Sequence, residues 1–323
     1  MLVANHSGFP RIGETEALQI LRRAIEDVGR GKKSASDLAK AHDEMTTLAL
    51  REQEEAGCGL ATDGQIRWVD PVSHFAGNFE GIEIGSIFRF FDTNFLIRQP
   101  TAHAKVRWKG PLTARECAFA VKTAKCQVKA VLTGPVTLAR HTILTGGPYQ
   151  NAADLAADYA EGLLAEAKAV LAEKPSAIQI DEPSILTNTE DLAVLKEFLS
   201  AVSKLAEKKV PVFLATYFND ASALYEKLLA LPASGFVWDL TYSETLEERL
   251  KAGFSKILGL GIADSRNTRL EKPEDLARRI ESIAKKARGE IQLLPSASLE
   301  YLPRDKAKQK LALLAKTRKY LED

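Results

Sequence analysis

Residues 178–183 read Ile-Gln-Ile-Asp-Glu-Pro: an apolar, strand-like run that ends in two adjacent carboxylates and then a proline. Proline lacks the N–H that strand pairing needs, and it biases the residue before it, Glu182, towards an extended backbone. The stretch therefore reads as a short buried strand, 177–180, that presents Asp181 and Glu182 at the lip of a sheet. Seven further runs share the form, at 2–6, 59–62, 128–132, 210–214, 235–239, 257–262 and 290–294, each passing from apolar to polar or Gly-rich residues.

Between most of these runs lie Ala-, Leu- and Glu/Lys-rich stretches with helical spacing, at 152–173, 189–208, 221–231, 273–287 and 304–321. Strands alternating with helices imply a parallel sheet covered by helices, and eight repeats predict closure into a (β/α)8 barrel. An open doubly wound sheet is the competing α/β arrangement, but its Gly-rich phosphate loop is not matched by Ser7-Gly8-Phe9-Pro10-Arg11-Ile12-Gly13 after the first run. The whole chain, 1–323, is expected to form this single barrel. Residues 14–28 and 35–56 read as two helices of an N-terminal extension, broken at Gly29 and Gly31. Residues 63–127 form an insertion after the second strand, too long for a plain loop and rich in aromatics: Trp68, Phe75, Phe79, Phe88, Phe90, Phe91, Phe95 and Trp108. It is expected to fold over the rim as a cap, although such a set also suits a small core of its own.

The 323 residues are 45% hydrophobic and 27% charged, with a formal net charge of +1. That balance gives no global field for nucleic acid or an anionic membrane. No run approaches the length of a membrane span, and the N-terminus lacks a basic segment followed by an apolar one. Cys58, Cys117 and Cys126 are odd in number and widely spaced, which suits reduced thiols in a cytoplasmic protein.

In a barrel of this kind the working site is built at the C-terminal ends of the strands. Those ends supply Ser7, Gly8 and Arg11, then Asp63, Gly64 and Gln65, then Thr133-Gly134-Pro135, Asp181-Glu182, Thr216-Tyr217-Phe218, Asp239, Asp264 to Asn267, and Ser296 to Ser298. The set is polar and of mixed charge, suited to a small zwitterionic or acidic molecule. No histidine or cysteine stands at metal-ligand spacing, so a built-in zinc site is not expected. Carboxylates alone suit a harder ion better, and no Ser/His/Asp or Cys/His set is readable. Each feature also has a structural reading. Asp181-Glu182 could accept backbone N–H groups in a turn, Asp264 and Arg266 could pair across a loop, and Phe9-Pro10-Arg11 could anchor the chain.

Residues 7–13 (SGFPRIG), 131–137 (VLTGPVT), 178–183 (IQIDEP), 216–218 (TYF), 264–267 (DSRN) and 295–299 (PSASL), with 91–95 (FDTNF) in the insertion, resemble the cobalamin-independent methionine synthase family. The match runs in order over nearly the whole chain. Members of that family have two similar barrels: a zinc-bearing C-terminal one that activates the homocysteine thiolate and receives a methyl group from a folate, and a zinc-free N-terminal one that helps dock the polyglutamate tail. This chain resembles the N-terminal barrel standing alone. The resemblance places the zinc-binding histidine at Ala215, the two cysteines at Tyr217 and Ala297, and the glutamate at Asp239. It places the catalytic histidine at Arg266, and the aspartate that grips the homocysteine amino group at Asp181. Thiolate activation depends on a metal or comparable cation. This chain alone is therefore expected to lack a catalytic zinc site of its own, with zinc on a separate methionine synthase barrel that acts as its partner. The basic pair that follows the Phe-Pro-Arg segment in N-terminal barrels is replaced here by Glu14, Glu16 and Gln19, while Arg89 aligns roughly with another tail contact. The methyl donor implied is a folate, another pterin or a methyl-corrinoid, with no cofactor bound tightly.

The ligand-binding candidates are Arg11, Gln65, Arg89, Asp92, Asn94, Asp181, Glu182, Tyr217, Asp239, Asp264, Arg266, Asn267 and Ser296, with no catalytic residue or metal ligand assigned. The leading expectation is a methyltransferase-family chain that acts in methionine biosynthesis beside the zinc-bearing barrel. A self-sufficient homocysteine S-methyltransferase with a non-polyglutamate donor and a non-enzymatic scaffold or ligand sensor are the alternatives. Neither a nucleic-acid nor a membrane partner is expected.

Overall fold

A computed structural model of the protein describes residues 1–242 and 244–322. Its eight barrel strands are Leu2–Val3, Leu60–Ala61, Gln127–Thr133, Ala177–Asp181, Val212–Thr216, Gly235–Asp239, Ile257–Ala263 and Ile291–Pro295. Each pairs in parallel with its neighbours, in the order first, eighth, seventh, sixth, fifth, fourth, third, second. A parallel bridge between Ala4 and Leu60 joins the two ends of that order, with Asn5 N donating to Leu60 O at 3.0 Å and Gly59 N to Val3 O at 2.8 Å. The sheet thus curls into a barrel surrounded by helices, as the eight repeats predict. The open doubly wound arrangement is set aside.

The strand positions match the sequence reading, and the boundaries move by at most three residues. The first run is expected to pair over 2–6 but does so only over Leu2–Val3 and the bridge at Ala4. Beyond it the chain bends to the rim, where Asn5 Nδ2 donates to Ser7 O and Thr62 Oγ1. The helix expected over 189–208 begins at Leu192, after a 3₁₀ turn at Thr189–Asp191. It ends at Leu205, before Glu207 and Lys208 enter the left-handed region. The stretch 221–231 divides into a 3₁₀ turn, Ser222–Leu224, and a short helix, Tyr225–Leu229. The N-terminal extension holds two helices, Ile20–Gly29 and Ala35–Glu55, and the second starts in a capping box between Ser34 and Asp37.

The segment 63–127 contains a long antiparallel hairpin that the aromatic content does not announce: Phe79–Arg89 pairs with Leu96–Trp108. A short strand, Ile143–Leu144, joins its outer edge. The later part of the segment, helix Ala114–Thr123, lies in the connection from the second to the third barrel strand. The hairpin base packs on helix Ala152–Ala172, where Phe79 meets Tyr159 edge-on at a centroid distance of 4.9 Å. Gly162 of that helix makes the approach possible, since a Cβ there would strike the Phe79 ring and the Trp108 side chain. Buried Glu166, one turn on, accepts from Trp108 Nε1 (3.2 Å), Leu112 N (2.9 Å), Thr113 N (2.7 Å) and Thr113 Oγ1 (2.8 Å). One carboxylate thereby satisfies the backbone where the hairpin returns to the barrel. No helix among the described residues is long and apolar enough to cross a membrane.

Candidate active site

The barrel interior carries a polar column that begins deep and ends at the mouth. Lys129 on the third strand is in register with Ala177, while Gln179 and Asp181 stand one and two inward-facing steps nearer the rim on the fourth strand. All three side chains are buried. Lys129 Nζ donates to Gln179 Oε1 at 2.5 Å. Gln179 Nε2 donates onward to Asp181 Oδ1 at 2.6 Å and to the His6 carbonyl at 3.0 Å. The fourth strand does not neighbour the first, so that last bond crosses the barrel and places the column at its centre.

Asp181 is the focus of the mouth. Tyr217 OH donates to its Oδ2 at 3.3 Å, and the Ser7 hydroxyl also donates to it. His6 Nδ1 meets Ser7 Oγ at 3.0 Å, and the His6 ring stands edge-on to Tyr217 at 5.0 Å. Burial pushes the Asp181 carboxyl above the usual carboxylate range, opposed by Gln179, Lys129, Tyr217 and Ser7. His6 Nε2 and Thr216 Oγ1 are buried with no hydrogen-bond partner among the described residues. Buried polar atoms are rarely left so.

The hairpin tip packs beside this layer. Phe90 and Phe91 pack on His141 and Phe218, and Phe95 packs on Tyr301, with centroid separations of 4.7 to 6.1 Å across the cluster. Phe91 and Phe218 face each other from opposite sides of the contact, and both adopt left-handed backbone, with φ of 51° and 67°. Bulky residues in that region cost about 1–3 kcal/mol each and persist where the surroundings impose them, often at functional sites.

Beside the tip lies a cavity of about 230 Å³ lined by Arg89, Asp92, Thr93, Asn94, Phe95, Arg266, Glu300 and Tyr301. Four candidate residues, Arg89, Asp92, Asn94 and Arg266, meet there. Tyr301 also packs on Phe218 at a centroid distance of 5.8 Å, which joins this cavity to the aromatic cluster. Glu300 is partly buried and pairs with Arg11 Nε at 2.9 Å; desolvation pushes its carboxyl up to about 7. Arg11 also donates to the carbonyls of Trp68 and Val69, which ties the first loop to the insertion and leaves it outside the cavity lining.

Other candidates hold the rim together. Glu182 is fully buried, turns away from Asp181 and accepts from Val136 N (3.1 Å), Thr137 N (2.5 Å) and the Thr137 hydroxyl. The structural reading of the carboxylate pair therefore applies to Glu182 and not to Asp181. Asp239 accepts from Thr241 N (2.8 Å), Thr241 Oγ1 (2.6 Å) and Phe218 N (3.3 Å), and burial pushes its carboxyl up to about 6. Asp264 pairs across its loop with Arg266 Nε at 3.1 Å and accepts from Asn267 Nδ2 at 2.6 Å. Arg266 in turn lies over the Tyr242 ring at 4.2 Å. Ser296 Oγ accepts from Ser265 N at 3.2 Å. Gln65 is buried, with a left-handed φ of 54°, and its side chain crowds Gly8.

Sequence reading passed over several residues of the mouth. Gln179 stands two positions before Asp181 in the decisive stretch, and strand alternation puts both on one face. Lys129 interrupts an otherwise apolar strand, itself a signal. His6 closes the first run, and Glu300-Tyr301 directly follow 295–299. His141 gave no signal, because only the hairpin brings Phe90 and Phe91 against it.

The positions that the resemblance aligns with zinc ligands do not make a donor set. Ala215 and Ala297 carry no donor atom, Tyr217 OH is engaged with Asp181, and the Asp239 oxygens accept from Thr241 and Phe218. Among the described residues no three His, Cys, Asp or Glu side chains converge as a metal site. The residues present do not fit a tetrahedral zinc.

The family model described as "Cobalamin-independent synthase, N-terminal domain" matches residues 80–288. A curated relative named methionine synthase, from Saccharolobus solfataricus, is 27% identical over 322 residues, covering 97% of this chain and 94% of that protein. Another of the same name, from Sulfurisphaera tokodaii, is 28% identical over 314 residues, covering 97% and 91%. Among solved structures, a B12-independent methionine synthase from Shewanella sp. W3-18-1 superposes with a TM-score of 0.73 at 18% identity, over 100% of this chain and 98% of that one. A methyltransferase from Methanosarcina mazei gives 0.60 at 12% identity, over 98% and 94%. At these identities the two structures speak for the fold.

Proposed function

The chain belongs to the cobalamin-independent synthase family through its N-terminal-domain model, and from that premise we propose that it serves methyl transfer to homocysteine by holding an α-amino acid at Asp181 beside a separate zinc-bearing barrel. The observation that carries this reading is the buried Asp181 carboxylate, ringed by Ser7, Gln179 and Tyr217 beside the aromatic hairpin tip. A buried anion with donors on one side is matched by a ligand cation on the other, and an α-ammonium group supplies it. The Shewanella protein is in complex with selenomethionine, an amino acid of this class. The thiolate itself needs a cation that lowers its pKa, and the donor set for zinc is not assembled in this mouth. Arg89 and Arg266 line the adjoining cavity and suit the anionic end of a methyl donor. Folate, another pterin and a methyl-corrinoid all remain within this reading.

A second reading, a self-sufficient homocysteine methyltransferase, is favoured by the length of the relatives. Proteins named methionine synthase are matched over 94% of their length by a chain of this size. Metal analysis and a homocysteine-methylation assay separate the two. The leading reading expects less than stoichiometric zinc and no turnover by the chain alone, with turnover or donor affinity changed when a zinc-bearing barrel is added. Stoichiometric zinc with turnover by the chain alone would establish the second reading in its place.

A further inference from the structure

The leading reading uses Asp181 but leaves a buried cation in the barrel unexplained. Lys129 is 0% exposed, on a strand whose neighbours are apolar, and it is one of the largest fully buried side chains in the protein. Taking an ammonium group out of water is costly unless it is paired, so a lysine at the centre of a barrel requires an account.

Its hydrogen bond supplies one. A glutamine side chain has one oxygen and one NH2, and the two ends cannot trade roles beside an ammonium, which only donates. Because Lys129 Nζ donates to Oε1 of Gln179, the NH2 end is turned to the rim, where it donates to Asp181 Oδ1 at 2.6 Å and to the His6 carbonyl at 3.0 Å. The ionised Asp181 carboxylate and the His6 carbonyl are acceptors and call for the same orientation, so donor and acceptor agree along the whole column. The cation reinforces that direction from the inner end and places a positive charge behind the bond.

Building on the proposed function, we infer that Lys129 is a positioning residue: through Gln179 it holds Asp181 as an oriented anion ready for the amino group of the ligand. The other ionisable groups of this region do not compete for the part. His6 is kept neutral by burial and by Lys129 itself. Cys58, which also faces Lys129, has its thiol pushed up to about 12 by burial. Burial holds Tyr217 and Tyr301, which face Asp181, well above the usual phenol range. Asp63 borders a small void that Lys129 also lines, and Glu182 is turned to Thr137. Lys129 and Asp181 are therefore the charge pair of the column, with burial lowering the lysine and raising the aspartate.

The sign follows. Asp181 already protonates more readily than an ordinary carboxylate. Removing the cation that opposes this raises its midpoint further, so less of it is anionic at neutral pH and an ammonium ligand binds more weakly there. The test is carbon NMR of protein labelled at the aspartate carboxyl, with the Asp181 signal assigned through Asp181→Asn. Wild type, Lys129→Met and Gln179→Met are titrated without ligand, and the same proteins are then titrated calorimetrically with L-methionine. Lys129→Met is expected to raise the Asp181 midpoint by about one pH unit or more, and to weaken L-methionine about tenfold at pH values below both midpoints, where a one-unit shift changes the anionic fraction about tenfold. Gln179→Met is expected to raise the midpoint as well, and it carries the test if the lysine variant does not fold. An unchanged midpoint in whichever of these variants folds overturns the assignment. If wild type binds no amino acid, the proposed function fails, while the ligand-free titration still decides the role of Lys129.

Discussion

Asp181→Asn is expected to weaken binding of an α-amino acid such as L-methionine by roughly 30-fold to several thousand-fold. The carboxylate is buried, and its oxygens take donors from Gln179 and Tyr217. The amino group of a bound ligand would complete that shell as its one cationic contact. Losing one member of a buried, hydrogen-bonded charge pair costs about 2–5 kcal/mol, and each ~1.4 kcal/mol is a factor of ten. Asparagine has nearly the same shape, so the loss reports charge and donor direction and not volume. Calorimetry of the variant against wild type measures it, with a thermal melt as control for folding. Binding within threefold of wild type would remove Asp181 from the site.

The neighbouring carboxylate should behave in the opposite way. Glu182→Ala is expected to cost about 3–5 kcal/mol of stability, because Val136 N and Thr137 N lose a buried acceptor and each unsatisfied donor costs about 1–3 kcal/mol. Gly134→Ala tests the same contact from the other side. A Cβ on Gly134 would be driven into the Glu182 carboxylate, which three donors hold in place and which has no room to withdraw. Overpacking of that kind costs about 1–3 kcal/mol and sometimes more. Thermal melts should therefore drop by on the order of 10 °C for Glu182→Ala. The surviving folded protein should keep its amino-acid affinity. A melt unchanged in both variants would show that Glu182 does not hold the loop that follows the third strand.

Adjacent residues thus divide into a proposed ligand group and a structural one, and sequence alone does not separate them. The stretch 178–183 made the strand and its end legible because proline punctuates pairing and burial leaves an apolar run. Alternation along that strand already put Gln179 and Asp181 on one face and Glu182 on the other. What alternation does not carry is the partner across space. The Glu182 acceptor role depends on the Gly134–Thr137 turn, 45 residues away for the Thr137 bonds. Arg11 read as an anion contact from its place after the first strand, yet its guanidinium is spent on Glu300 and on two carbonyls of the insertion. The hairpin at Phe79–Arg89 and Leu96–Trp108 was obscured for a related reason. Its burial alternates irregularly, because register shifts occur between Glu80 and Ile82 and between Ile84 and Ile87. Gly81, at φ 79°, sits within the first of these shifts.

Lys129 gives the converse lesson. A lysine within an apolar strand is conspicuous in sequence, but nothing local says whether it faces solvent at a sheet edge or the lumen of a barrel. Only closure of the first strand onto the second brings His6 within reach of Gln179 and makes the column continuous.

A crystal structure grown with L-homocysteine and excess zinc tests the central claim most directly. The account predicts the ligand amino group within about 2.6–3.2 Å of Asp181, beside the Phe90–Phe91 tip, with no zinc held by side chains of this chain at the barrel mouth. A tetrahedral zinc coordinated there by this chain's own residues, or homocysteine seated away from Asp181, would contradict it.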